Sequence, residues 1–296
     1  MHDIEQNFEK EDFDQQAANT QDLKDIMRNP VTRREFMRRL RVAGLGAVTL
    51  PLLAGCGGNS VTSGKYTNAA FPGIVGRNAI EVVLNYALTL ELAEAELYKQ
   101  SLNRASGRAI TEVLDPKLPL PGALGQYTLT IASGGLDSAT AKAAFLYLLQ
   151  FAYIEATHRD FLTATLTTLN APIAQANVKG YQYLNNEPGT DLKTILANLY
   201  PIEETGVRAY LGAVPALVND TNNNIAQIAA SLYSTEARHS ATLAYFLGKD
   251  AGPSLGSAAT TDLTVTGTAY PHPDTFEYFS QPADVLAKVT ANYFVK

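Results

Sequence analysis

The chain has a single cysteine, Cys56, and no tryptophan. One cysteine cannot close an intramolecular disulfide, and a cysteine-built zinc site is excluded with it. Positive charge is also scarce. Lysines and arginines number 23 against 29 acidic residues, for a net charge of -6. The paired arginines, Arg33-Arg34 and Arg38-Arg39, fall near the N-terminus, and no basic stripe follows them, so nucleic acid is not an expected partner. Mean hydropathy of -0.07 fits a soluble globular chain. Histidine is the last scarcity, with four in 296 residues.

What is present begins with an N-terminal leader. Thr32-Arg-Arg-Glu-Phe-Met-Arg38 precedes an apolar run, Val42 to Ala54, and then Gly55-Cys56. That run is 13 residues, short of the ~20 that a spanning helix needs. A charged segment, a short apolar core and small residues in this order read as an export signal. The arginine pair resembles a twin-arginine signal, and Leu53-Ala-Gly-Cys56 resembles a bacterial lipobox with Cys56 as the lipidated residue. The expected organisation is a signal segment over 1–56, a flexible Gly/Ser-containing tether over 57–76, a helical bundle over 77–250 and an irregular extension over 251–296. Residues 1–31 are long, polar and acidic, and are expected to be removed with the leader. The expected location is the periplasm or cell envelope, with a lipid anchor in the membrane.

Four long stretches carry helical periodicity. The first runs from about Arg77 to Arg104, with Leu84, Leu88, Glu91, Ala95, Tyr98 and Leu102 inward. The second runs from Ser138 to Leu169, with Phe151, Glu155, His158 and Leu162 on one face. The third starts at Asp191, capped by Thr190, and ends at Leu217, with Leu199, Glu203, Val207 and Tyr210 inward. The fourth spans Asn222 to Leu247 with Gly248 as its C-cap, and carries Leu232, Glu236, His239 and Leu243. A short strand is expected at Tyr127–Ile131 and a last short helix from Gln281. Residues 170–189 form a connection too long for an up-down bundle, which suits a crossover that leaves the second and third helices parallel.

In every stripe a glutamate or histidine interrupts the apolar face, and the interruptions repeat. Glu155-Ala-Thr-His158 and Glu236-Ala-Arg-His239 share the spacing Glu-x2-His. On a helix, i and i+3 project from one face, so each pair aims a carboxylate and an imidazole the same way. The first and third helices share Glu-x6-Tyr, in Glu91 to Tyr98 and Glu203 to Tyr210. A lone histidine on such a face is more often a core residue than a ligand; the repetition favours the ligand. Two related hairpins would gather four carboxylates and two imidazoles at one level of the core. Four carboxylates cannot stay ionised in an apolar core without compensation, whereas two divalent cations would neutralise them. Oxygen and nitrogen donors suit iron or manganese, with zinc as a further candidate. The tyrosines fit a supporting role, holding carboxylates by hydrogen bonds, with core aromatics as the alternative. Glu94, one turn from Glu91, could be an extra ligand, a supporting residue or a solvated charge; the supporting role is preferred. Glu204 points about 100° away from Glu203. Glu96 reads as solvated, and His272 as a loop residue. Pro201 removes a backbone hydrogen bond and should bend the third helix.

These residues, above all Asn85-Tyr-Ala-Leu-Thr-Leu-Glu91-Leu-Ala-Glu94-Ala-Glu96-Leu-Tyr98, resemble the ferritin-like superfamily in its exported bacterial and desiccation-related branch. The resemblance covers about residues 65–250. It implies an all-α, ferritin-like four-helix bundle with one long crossover, irregular insertions and a C-terminal tail. It implies Glu91, Glu155, His158, Glu203, Glu236 and His239 as ligands of two Fe or Mn ions, with Tyr98 and Tyr210 behind them. Relatives include ferroxidases, peroxide-reducing rubrerythrins and manganese catalases, so peroxide or O2 is the expected small-molecule partner and stress protection the expected role. The alternative is a non-catalytic metal-binding or structural envelope lipoprotein. A homo-oligomer is compatible with either.

Overall fold

A computed structural model describes residues 70–114, 125–183, 187–217, 223–251, 264–265, 268–269, 277 and 279–296. The expected leader, Cys56 and His272 lie outside the described residues. Among the described residues five helices form: α1 (Ala79–Ala105), α2 (Ser138–Thr168), α3 (Leu192–Leu217), α4 (Asn223–Leu247) and α5 (Pro282–Tyr293). A two-residue hairpin pairs β1 (Thr264–Val265) with β2 (Thr268–Ala269). No helix among the described residues is long and apolar enough to cross a membrane.

The first three helices start where a side chain can take an orphan amide. Asn78 accepts from Glu81 N, and Asp137 accepts from Ala139 N and Thr140 N. The third helix departs from expectation. Its cap is Asp191, which accepts Thr194 N at 2.9 Å and the Thr194 hydroxyl at 2.7 Å, and not Thr190. A carboxylate has the further advantage of facing the positive end of the helix dipole. Gly248 (φ 69) closes α4 as expected, with Lys249 N donating to Ala244 O. Pro201 and Pro215 both lie inside α3, which continues unbroken through them.

The helices form two hairpins, α1 with α2 and α3 with α4, joined face to face mainly through α1 and α3. Arg77 at the start of α1 donates to the Leu169 and Asn170 carbonyls at the end of α2, so that pair is antiparallel. Tyr98 bonds Glu203 while Tyr210 bonds Glu91, so α1 and α3 are antiparallel as well. It follows that α2 and α3 are parallel, the arrangement a crossover demands. The crossover is pinned at both ends. Buried Asn85 donates to Pro172 O and accepts from Ala174 N, and Asn198 donates to the Glu187 and Pro188 carbonyls. In between, the Tyr183 hydroxyl donates to Leu97 O.

Two expectations change. Tyr127–Ile131 is not a strand: among the described residues no edge pairs with it, Thr130 N takes the Ala105 carbonyl singly, and the neighbouring Ala132 makes an isolated bridge to Asp191. The end of the expected tether is packed. Phe71 is 1% exposed and meets the Tyr86 ring edge-on, so the chain joins the core before Arg77. The short C-terminal helix forms as α5 and packs on α3 through Val285, Leu286 and Val289. Gly212 allows this docking: a Cβ there would stand 1.8 Å from Ser280 O.

Candidate metal centre

Every inward position expected on the four helices is buried except His158, whose side chain is 13% exposed. The helical stripes therefore converge, and their polar interruptions converge with them. Ligand-capable atoms of Glu91, Glu155, His158 and Glu236 lie within 4.8 Å of one another, as do those of Glu155, Glu203, Glu236 and His239. Glu155 and Glu236 belong to both groups. Glu91 with His158 marks one end of the cluster, and Glu203 with His239 marks the other.

Both histidines turn Nδ1 inward. His158 Nδ1 is 3.1 Å from Glu155 Oε2, 3.4 Å from Glu91 Oε2 and 3.6 Å from Glu236 Oε1. His239 Nδ1 is 2.7 Å from Glu155 Oε1 and 3.4 Å from Glu203 Oε1, yet neither contact has hydrogen-bond alignment. The His239 ring packs on Phe151 with centroids 3.8 Å apart, which fixes its plane. The tyrosines act across the bundle. Tyr98 of α1 donates to Glu203 of α3, and Tyr210 of α3 donates to Glu91 Oε1 of α1 at 2.6 Å. Each tyrosine thus holds the other hairpin's glutamate.

Many polar atoms here lack a hydrogen-bond partner among the described residues: Glu91 Oε2, Glu155 Oε1, Glu203 Oε2, both Glu236 oxygens and both His239 nitrogens. Buried polar groups are ordinarily satisfied, so a cluster of orphans calls for something that binds them. Oxygen and imidazole donors facing one another at these distances fit divalent metal, and cations would satisfy every orphan oxygen together. The cluster is compatible with a metal site.

Electrostatics give the same picture. Burial, followed by neighbouring carboxylate charge, pushes Glu236 well above the usual carboxylate range. Burial also raises Glu91, to about 7, against the pull of His158. Burial works upward on Glu155 too, but the charges of His158 and His239 outweigh it and hold that carboxyl low. His239 is raised to about 9: burial opposes its charge, and Glu203 and Glu155 overcome that. His158 rises well above its usual value by the same balance, through Glu91 and Glu155. Protons therefore gather where positive charge is needed, and metal ions would replace them.

The remaining candidates divide. Glu94 is buried at 1% exposure with neither oxygen partnered, so it is no solvated charge. Glu204 accepts from the Ser240 hydroxyl and sits 3.7 Å from Arg208, away from the cluster. Glu96 is half-buried and pairs with Lys99 at 2.6 Å. Gly206 escaped the sequence reading. It faces the cluster, and a Cβ there would lie 2.9 Å from Glu236 Oε2 and 3.1 Å from Glu94 Oε1. The signal was present, because Gly206 follows Glu203 by the same three residues that separate Glu94 from Glu91.

A four-helix bundle with a long crossover and a glutamate–histidine cluster at its centre defines a class of carboxylate-lined helical proteins. Residues 81–249, more than half of the chain, match the ferritin-like domain family, and the chain belongs to it. No curated protein and no solved structure matches the chain.

Proposed function

We propose that this chain holds two Fe or Mn ions at the cluster and acts on peroxide or O2 in oxidative or desiccation stress. The observation that carries the reading is the pair of overlapping four-residue groups that share Glu155 and Glu236. Glu155 and Glu236, which belong to both groups, would be common to both positions; Glu91 and His158 would complete one and Glu203 and His239 the other. When bound, two redox-active ions would supply the electrons that reduce an O–O bond.

The chain's own groups have separate tasks. The Tyr98 and Tyr210 hydroxyls lock the Glu203 and Glu91 carboxylates in place, and burial with the adjacent carboxylate charge keeps both phenols protonated. The apolar walls exclude water and so strengthen every charge interaction inside. His158 is the more exposed histidine and marks the side from which a small oxidant would enter. Export by the twin-arginine route and lipid anchoring at Cys56 belong to this reading and rest on the leader's sequence alone. That route carries folded proteins, which suits a protein that takes up its metal before export.

The test compares the wild-type chain with the double variant His158→Ala, His239→Ala. Peroxide consumption and ferrous oxidation are measured after loading with Fe(II) or Mn(II). The wild type should show at least one activity and the double variant neither. Equal activity in both would remove the cluster from the reaction, and metal-loaded wild type with no activity would favour a non-catalytic metal-binding lipoprotein.

A further inference from the structure

The internal repeat that aligns Glu91 with Glu203 and Tyr98 with Tyr210 also aligns Glu94 with Gly206. One half carries a carboxylate where the other carries no side chain at all. The structure brings the two positions together. A Cβ on Gly206 would stand 3.1 Å from Glu94 Oε1 and 2.9 Å from Glu236 Oε2. The Glu94 carboxylate therefore reaches across to α3, into the space its counterpart leaves empty, and shares it with a glutamate common to both metal-capable groups.

Among the described residues, nothing compensates Glu94. It is 1% exposed, neither oxygen has a hydrogen-bond partner among the described residues, and it makes no ion pair there. The histidines give it nothing to support, since both Nδ1 atoms face Glu155 and no bond joins Glu94 to either ring. The buried Tyr293 hydroxyl of α5 likewise has no hydrogen-bond partner among the described residues, so it offers Glu94 no donor. A carboxylate kept dry and unpaired beside a metal-capable cluster is costly unless the cluster uses it.

We propose that Glu94 is a seventh protein ligand of the centre, a fifth carboxylate that binds one of the two ions on the Gly206 side. The two metal positions are then chemically unequal, although the sequence repeat makes their other ligands equivalent. Two divalent cations neutralise four carboxylates; the fifth adds negative charge at one ion and favours its higher oxidation state. This proposal rests on the dimetal reading.

The test loads the full chain with Co(II), alone among metals, in the wild type, Glu94→Gln and Glu96→Gln. Affinity is followed by titration and coordination number by the visible absorption, which strengthens as ligands are lost. Wild type and Glu96→Gln should bind two ions identically. Glu94→Gln should bind one ion normally and the other at least tenfold more weakly, with stronger absorption from the weakened position. Weaker binding with an unchanged spectrum would make Glu94 a positioning residue and overturn the proposal. So would two ions bound identically in wild type and Glu94→Gln, which leaves the dimetal centre standing. A wild-type chain that takes up no Co(II) would overturn both. The metal-free Glu94→Gln protein should keep its helical circular dichroism. Were it to unfold, Glu94→Asp, with the carboxylate on a shorter arm, should show the same selective weakening, and its absence would overturn the proposal.

Discussion

The two hairpins are near repeats in sequence and opposites in electrostatics. Glu155 and Glu236 each open a Glu-x2-His pair and each belong to both groups of candidate ligands. Yet Glu155 lies within 3.1 Å of both imidazoles, whose charges hold it ionised against burial. Glu236 faces mainly carboxylates and is pushed up. The histidines differ too. His239 is sealed under Phe151 at 2% side-chain exposure, whereas His158 is 13% exposed. In register, the counterpart of Phe151 is Leu232. The difference teaches that a repeat of ligand types can build a symmetric donor set while the residues between the ligands decide charge and access.

The largest effect that tests this comparison comes from the shared glutamates. Glu155→Ala or Glu236→Ala should cost both ions, with losses beyond the ~100-fold that changes behind a ligand produce. His158→Ala or His239→Ala should cost only one, so bound metal falls from two per chain to one. Elemental analysis after reconstitution checks this, and equal losses from all four variants would break the division into shared and private ligands.

Sealing comes next. Phe151→Ala should destabilise the metal-free protein by about 3–5 kcal/mol, the usual cost of an aromatic cavity, read by denaturant unfolding. It should also speed ion exchange at the His239 end without changing the His158 end. A variant that exchanges both ends as the wild type does would remove Phe151 as the cover.

The tyrosines offer a finer test because each acts on the opposite hairpin. Tyr98→Phe should weaken the position that includes Glu203, and Tyr210→Phe the position that includes Glu91, each by roughly 10–100-fold in metal affinity. Isothermal titration with each variant distinguishes the two; weakening of the tyrosine's own hairpin would contradict the crossed arrangement.

A last test is pH dependence. Glu91 rises from 4.5 to about 7 and His239 from 6.5 to about 9 on folding. Both folded values exceed the unfolded ones. Their contributions are complete below the unfolded values and are lost as pH rises through the folded ones. Glu155, held low, works the other way, but its contribution is lost only in acid. Metal-free protein should therefore lose stability steadily from about pH 5 to pH 9. Loading with metal should flatten the slope, since the ions take the place of the protons. Chemical denaturation across that range reads it.

The candidate donor set was legible because charged or polar residues on an apolar stripe are expensive, and six of them at matched spacing stand out. The fold was legible for a related reason: Leu84, Leu162, Leu199 and Leu243 mark faces that must meet. Periodicity assigns a face and not a partner, so it could not show that Tyr98 holds Glu203 and Tyr210 holds Glu91. Nor could it show that Glu94 is dry, since that depends on the space across the bundle at Gly206. The strand expected at Tyr127–Ile131 failed because alternation needs a neighbouring edge. The cap of α3 moved by one residue, from Thr190 to Asp191, because two adjacent side chains could both serve and only the backbone decides between them.

The central claim is that the two overlapping groups hold two ions. Metal content per chain, measured on protein purified without chelator and after reconstitution with Fe(II) or Mn(II), tests it most directly. Close to two ions per chain, with higher thermal stability on loading, is the expected result. Near-zero metal after reconstitution, with unchanged stability, would contradict it.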